Sequence, residues 1–122
     1  MEEQGRGSIL KIEDFLIATP QEAMHDLAAI RFKGDLLRRV KETRINGLII
    51  DLSRIDIVDS FMARTIGEIV NSATLLGAEV VAIGLRPEVA ITMVEMGVSL
   101  GQVHTHLNLD LALEFLRNQR SV

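Results

Sequence analysis

The chain has no cysteine, no tryptophan and no tyrosine, and aromatic residues make up only 3% of its 122 positions. Without cysteine it can form no disulfide bond and no thiolate site, a composition typical of a reducing compartment. Nucleic-acid strands stack on aromatic faces, so the scarcity of aromatic residues argues against that function. No apolar run approaches the length of a membrane span, and residues 1–7 do not resemble a signal peptide. We therefore expect a soluble, cytoplasmic protein.

The charge balance is acidic, with 17 Asp and Glu against 13 Lys and Arg and a net charge of −4. Such a chain has no electrostatic attraction for DNA. A hydrophobic content of 48% with 25% charged residues is ordinary for a folded protein of this length. We predict a single domain over residues 8–118, with flexible tails at residues 1–7 and 119–122.

The chain opens with two short apolar runs, at residues 8–12 and 15–18, which predict a β-hairpin turning at Glu13-Asp14. The segment Thr19-Pro20-Gln21-Glu22 then has the form of a capping box with proline at the first helical position. We predict a helix from this box to about Glu42.

Two apolar lines run along this first helix. The line predicted to face the core follows a helical period, with Gly34 allowing close backbone approach; it comprises Ala23, Leu27, Ile30, Gly34 and Leu37. The second line lies on roughly the opposite side and comprises Ala28, Phe32 and Leu36. Loops can cover such a line in part. An exposed apolar line also favours a subunit contact, so these three residues are candidates for an oligomer interface.

Strands and helices alternate through the rest of the chain. Leu48–Leu52 and Glu79–Gly84 read as buried strands, and Val103–Leu107 as a short one. The first of the predicted helices here is Met62–Leu76, which Gly77 ends. The next begins at Pro87 and ends at Gly97, and its inward residues are Val89, Met93 and Met96. The last is capped by Asn108 or Asp110 and packs through Leu109, Ala112, Leu113 and Leu116. The order ββαβαβαβα predicts an α/β fold with a mixed, mostly parallel sheet.

Few residues suit catalysis or metal binding. The sequence contains neither a glycine-rich phosphate loop nor a glycine-flanked serine elbow. His104 and His106 would project to one face of a strand, as metal ligands can, but without a third ligand nearby an ordinary surface position is the simpler interpretation. Asp51, Asp56 and Asp59 could hold Mg²⁺ or act as acid and base, although aspartates in such turns more often cap backbone N–H groups.

Ser60 follows this acidic turn and opens an amphipathic helix. One interpretation is a helix cap, for which serine is common. The other is a phosphorylation site, because the unpaired N–H groups and positive dipole at a helix start tolerate a phosphate. Arg64, one turn later, is spaced to pair with that phosphate. The added charge beside Asp59 and near Asp56 would then repel an acidic or apolar partner.

The strand ending Ile49-Ile50-Asp51-Leu52-Ser53, followed by Asp59-Ser60 and an amphipathic helix, resembles the STAS domain of anti-sigma-factor antagonists. The segments most similar to the stressosome branch of that family are Val58-Asp59-Ser60-Phe61, Leu76-Gly77-Ala78 and Gly84-Leu85-Arg86-Pro87-Glu88-Val89-Ala90. Antagonists usually have a small residue and glycine after the serine. Here the bulky apolar residues Phe61 and Met62 follow instead. They favour the stressosome branch, where bulky apolar residues support a permanent interface.

The resemblance implies a non-enzymatic scaffold that needs no cofactor and no metal. It implies that the chain assembles with an RsbR-like STAS paralogue and sequesters an RsbT-like Ser/Thr kinase. Phosphorylation of Ser60 would release that kinase, and an RsbX-like phosphatase would remove the phosphate again. Related subunits carry a phosphothreonine in the third-helix region, which makes Thr92 a second candidate. A nucleotide- or small-ligand-binding STAS module is the alternative function, and an unrelated small α/β enzyme using the aspartate cluster is a third.

Overall fold

The computed structural model describes residues 7–21, 24–100 and 103–120. Its strands are β1 (Ser8–Ile12), β2 (Phe15–Thr19), β3 (Gly47–Asp51), β4 (Glu79–Ile83) and β5 (His104–His106). Its helices are α1 (Asp26–Thr43), α2 (Ser60–Leu75), α3 (Pro87–Glu95) and α4 (Leu109–Arg120). The predicted element order is confirmed. None of the helices within the described ranges has the length and apolar character needed to cross a bilayer.

The strands form one sheet in the order β1-β2-β3-β4-β5. β1 and β2 pair antiparallel, with Ser8 opposite Thr19, and the turn between them places Glu13 at φ 55°. All later neighbours pair parallel, as helical crossovers require. The predicted hairpin and the mixed, mostly parallel sheet are therefore both confirmed.

Alternation along the strands gives the sheet two apolar faces. Leu48 and Ile50 of β3 belong to the larger core, which α1, α2 and α3 cover. Ile49 points the other way, into a smaller core with Phe15, and α4 covers that face through Ala112, Leu113 and Leu116 as predicted. At the far end of α4, Arg117 hydrogen-bonds to Glu13 of the hairpin turn, and this bond raises the pKa of Arg117.

The predicted start of α1 is wrong. Thr19 pairs with Ser8 in the sheet and stays extended, so the helix begins only at Asp26. His25 is the N-cap, and its Nδ1 accepts a hydrogen bond from the backbone N–H of Ala28 at 3.3 Å. Glu22, which would have completed the capping box, lies outside the described residues, as does Ala23.

The predicted orientation of α1 is also wrong. Phe32 is 7% exposed and Leu36 is fully buried, whereas Leu27 and Ile30 are 51% and 49% exposed. The inward stripe comprises Ala29, Phe32, Leu36 and Val40. Gly34 is exposed, and no atom of the described residues outside its own helix backbone lies within 4 Å of where a Cβ would be, so Gly34 allows no close approach among those residues. Phe32 and Leu36 are buried in the core and Ala28 is partly buried against it, so these three residues do not form the exposed apolar line that was predicted as an oligomer interface.

The other helix ends follow the sequence closely. Gly77 and Gly97 terminate α2 and α3 with φ of 99° and 80°, a conformation that glycine adopts without strain. Asn108 caps α4, accepting from the N–H of Leu111 at 3.0 Å. Met96 was expected inside but is 40% exposed. α4 continues through residues 119 and 120, so that part of the predicted C-terminal tail is helical.

Candidate functional site

The site lies where β3 ends and α2 begins, at the carboxyl edge of the parallel strands. Three apolar side chains of the connecting loop are buried and fix its path: Leu52, Ile55 and Val58. Between these anchors the loop turns outward, and Ile57 is 77% exposed. Ser60 is exposed at the start of α2. The loop thus presents a large apolar side chain three residues before an accessible hydroxyl.

Asp59, rather than Ser60, caps α2. Its Oδ1 accepts a hydrogen bond from the backbone N–H of Met62 at 2.8 Å, and its carbonyl accepts from Ala63 at 2.9 Å. Ser60 is the first residue of the helix. The cap therefore does not depend on the serine hydroxyl, which lies beside the positive end of the helix dipole.

The loop after β4 holds in place the loop that joins β3 to α2 and ends just before Ser60. The N–H of Leu52 donates to the carbonyl of Ile83 at 2.9 Å, which continues the strand pairing past the end of β3. Gly84, at φ 68°, lies so close that a Cβ built on it would be 2.7 Å from Cβ of Ser53 and 2.9 Å from its backbone nitrogen. Only glycine meets both the backbone angle and the space at this position.

Arg86 adds a polar bridge between the same two loops. Its Nη2 lies 3.2 Å from the carbonyl oxygen of Ser53 and 2.9 Å from Oδ1 of Asp56. Both side chains are about half exposed. The loop that carries Ser60 is therefore held from inside by apolar anchors and from outside by this guanidinium group.

The three aspartates of the acidic turn have different hydrogen-bond or ion-pair partners. Oδ1 of Asp51 accepts from the N–H of Ser53 at 3.0 Å, Asp56 pairs with Arg86, and Asp59 caps α2. Within the described ranges, no three His, Asp or Glu side chains come together in a way that could hold a metal ion. The capping interpretation of the aspartates is confirmed for Asp51 and Asp59.

The remaining candidates lie in different surroundings. Arg64 is exposed on α2, one turn after Ser60. The hydroxyl of Thr92 donates to the carbonyl of Glu88 at 2.9 Å within α3. Nε2 of His104 lies 2.8 Å from Oε2 of Glu79, and the rings of His104 and His106 lie 4.5 and 5.1 Å from that of Phe115. The histidine pair thus packs β5 against α4.

Sequence reasoning missed two features of this site. Arg86 reaches a residue 33 positions earlier, and no local pattern reveals that contact. Ile57 did carry a sequence signal for an exposed apolar side chain. It lies between Asp56 and Asp59, outside the three-residue spacing of the buried apolar residues Leu52, Ile55 and Val58.

Comparisons with known proteins agree with this architecture. A family model described as the STAS domain matches residues 8–112. The structure is similar to that of RsbS from Moorella thermoacetica, in a form with one serine replaced by glutamate, with 38% identity, a TM-score of 0.86 and coverage of 96% of this chain and 99% of that one. A chain in a structure described as the molecular architecture of the stressosome, a signal integration and transduction hub, is 40% identical, with a TM-score of 0.85 and coverage of 94% and 100%.

Among curated proteins, the RsbT co-antagonist protein RsbRD of Bacillus subtilis is 35% identical over 78 residues, 64% of this chain. The chain spans only 28% of the length of RsbRD. The resemblance seen in Asp59-Ser60 and the segments around it is confirmed, as is the predicted α/β fold, which matches that of RsbS. The chain belongs to the STAS domain family.

Proposed function

We propose that the chain is a phospho-regulated, non-enzymatic scaffold subunit of a stressosome, which holds a Ser/Thr switch kinase and releases it when Ser60 is phosphorylated. The observation that carries the proposal is the exposed Ser60 hydroxyl at the start of a helix whose cap is supplied by Asp59. Modification of that hydroxyl removes no cap hydrogen bond. The similarity to RsbS and to a stressosome chain supplies the biological setting.

The electrostatics of the site favour a change in docking over a change in fold. A phosphate on Ser60 adds about −1.5 to −2 of charge at the positive end of α2, where the helix dipole stabilises it. Arg64, one turn later, is spaced to pair with it. Asp56 and Asp59 already carry negative charge nearby, so an acidic or apolar partner surface meets strong repulsion after modification.

The exposed side chain of Ile57 gives the unmodified site an apolar contact for the kinase. A side chain that is 77% exposed beside the acceptor hydroxyl provides apolar area that a kinase can bury. The proposed partners are an RsbT-like Ser/Thr kinase, an RsbR-like paralogue within the particle and an RsbX-like phosphatase that resets Ser60. The serine-to-glutamate form of the Moorella relative is consistent with a regulatory serine in this family.

The test is incubation with an RsbT-type kinase from the same organism and ATP, followed by mass spectrometry. Phosphate is expected on Ser60 and is expected to disappear in Ser60→Ala. Ser53→Ala is the matched control, because Ser53 is an exposed serine of the same loop. Phosphate retained in Ser60→Ala would overturn the site assignment.

Binding tests the release step. Ser60→Asp is expected to weaken kinase binding at least about tenfold, which corresponds to ~1.4 kcal/mol, whereas Ser60→Ala keeps the affinity of the unmodified chain. Equal affinities of the two variants would contradict release by charge.

A further inference from the structure

The outer face of α1 carries an apolar patch that the described chain covers only in part. Leu27 and Ile30 are 51% and 49% exposed, and Gly34 follows one turn later on the same side. Gly34 lies inside the helix, where glycine is a poor helix former, and nothing in the described chain approaches within 4 Å of where its Cβ would be. We call Leu27, Ile30 and Gly34 the α1 patch.

The α1 patch lies level with Ser60. Both α1 and α2 start at the carboxyl edge of the sheet and cover the same face, so they run in the same direction. Nζ of Lys33 on α1 lies 2.6 Å from Oε1 of Glu68 on α2, which shows that these two positions neighbour each other across the helices. Lys33 follows the start of α1 by seven residues and Glu68 follows the start of α2 by eight, so the two helices start at similar heights.

The same ion pair shows which sides of the helices face each other. Ile30 precedes Lys33 by three residues and Arg64 precedes Glu68 by four, so each lies one turn nearer the helix start on the adjoining side. Packed helices lie about 8–10 Å apart. Ile30 therefore adjoins the first turns of α2, with Leu27 one turn nearer the helix start.

A partner protein of ordinary interface size that docks at Ser60 covers the starts of both α1 and α2. A stable interface covers about 800 Å² of each protein, an area equal to a disc with a radius of about 16 Å. A kinase centred on Ser60 consequently extends across the neighbouring helix. The bare backbone at Gly34 lets that partner approach α1 more closely than any side chain would.

We infer that the kinase docked at Ser60 also binds the α1 patch, burying Leu27 and Ile30 against an apolar surface of its own. The inference rests on the proposed function and extends it, because it adds a second apolar contact, on α1, to the one at Ile57, while the phosphorylation-dependent repulsion stays at the start of α2. Removing the patch should weaken binding of the unmodified chain without changing which residue is phosphorylated.

The experiment measures the affinity of the chain for the RsbT-type kinase by calorimetry, using Leu27→Glu and Ile30→Glu. Leu75→Glu is the matched control, because Leu75 is 88% exposed but ends α2, about 22 Å along the axis from Ser60. Each patch variant is expected to weaken binding at least about tenfold, because it places a carboxylate against an apolar surface of the kinase, and the control less than about twofold.

Gly34→Gln gives a second test in which stability and binding move in opposite directions. Glutamine is a better helix former than glycine at an exposed position, by about 0.6 kcal/mol, so Tm should rise by about 2–3 °C. Kinase binding should nevertheless weaken, because the new side chain fills the approach to α1. Higher stability with unchanged affinity would overturn the inference.

The outcomes separate this inference from the proposed function. If Ser60→Asp weakens kinase binding but the patch variants behave like Leu75→Glu, the α1 patch is not a kinase surface and the release mechanism stands. If the patch variants change only the size of the assembly measured by light scattering, a second copy covers the patch and the inference is overturned. If neither set changes kinase binding, the proposed function itself fails.

Discussion

The Nη2 atom of Arg86 lies 2.9 Å from Oδ1 of Asp56, a contact that joins the loop before α3 to the loop before α2. The same nitrogen lies 3.2 Å from the carbonyl oxygen of Ser53. Because Arg86 and Asp56 are 51% and 59% exposed, this pair contributes at most about 1 kcal/mol to stability. Its larger effect is on position, since it holds the segment that ends at Ser60.

Replacing Arg86 should therefore impair phosphorylation more than folding. Arg86→Gln removes the bridge to Ser53 and Asp56 and lets the outer half of the loop move. We expect the rate of Ser60 phosphorylation at limiting kinase to fall by about tenfold, within the range that a misplacement of about 1 Å can cause. The free energy of unfolding should change by less than about 1 kcal/mol.

Arg38→Gln provides the control for this substitution. Arg38 forms an exposed pair with Asp35 at 2.6 Å on α1, with exposures of 58% and 57%, close to those at Arg86. Its loss should leave the phosphorylation rate unchanged within about twofold. Equal rates for the two variants would show that the Arg86 bridge does not position Ser60.

Asp59 should matter for stability through its cap. In Asp59→Ala the N–H of Met62 loses its partner, so the free energy of unfolding should fall by about 0.5–2 kcal/mol in urea titrations. Asp59→Asn keeps an oxygen acceptor and should retain most of that stability. A full loss in Asp59→Asn would mean that the carboxylate acts by its charge rather than as a cap.

Gly84 should be less replaceable than Gly97. Both have positive φ, 68° and 80°, so alanine is strained at either position by about 1–2 kcal/mol. A Cβ at Gly84 also collides with the backbone of Ser53, whereas at Gly97 no atom of the described residues lies within 4 Å of the Cβ position. Gly84→Ala should therefore destabilise the chain by at least about 1 kcal/mol more than Gly97→Ala, measured by thermal and urea unfolding.

The elements that the sequence predicts well are those fixed by local chemistry. Continuous apolar runs identify β3 and β4 because both faces of a central strand are buried. Gly77 and Gly97 mark two helix ends because few other residues adopt positive φ without strain. The position of Ser60 at the start of α2 follows from the same kind of local pattern.

What the sequence did not predict depends on contacts between distant residues. Thr19 has the form of a helix cap, yet pairing with Ser8 keeps it in the sheet. Arg86 reaches Ser53 only because Gly84 brings their loops together. The orientation of α1 was ambiguous because it carries two apolar lines, and only packing against the sheet and α2 selects the one through Phe32.

Two leucines of α1 test that orientation with a single type of substitution. Leu36 is fully buried and Leu27 is 51% exposed, although both belong to the same helix, Leu36 in its middle and Leu27 in its first turn. Leu36→Ala should lower the free energy of unfolding by about 2–5 kcal/mol, because it removes buried methyl groups and leaves a cavity. Leu27→Ala should change it by less than about 0.5 kcal/mol, since alanine is an equally good helix former at the surface. Urea titrations followed by circular dichroism measure both, and comparable losses in the two variants would show that α1 is rotated from the orientation described above.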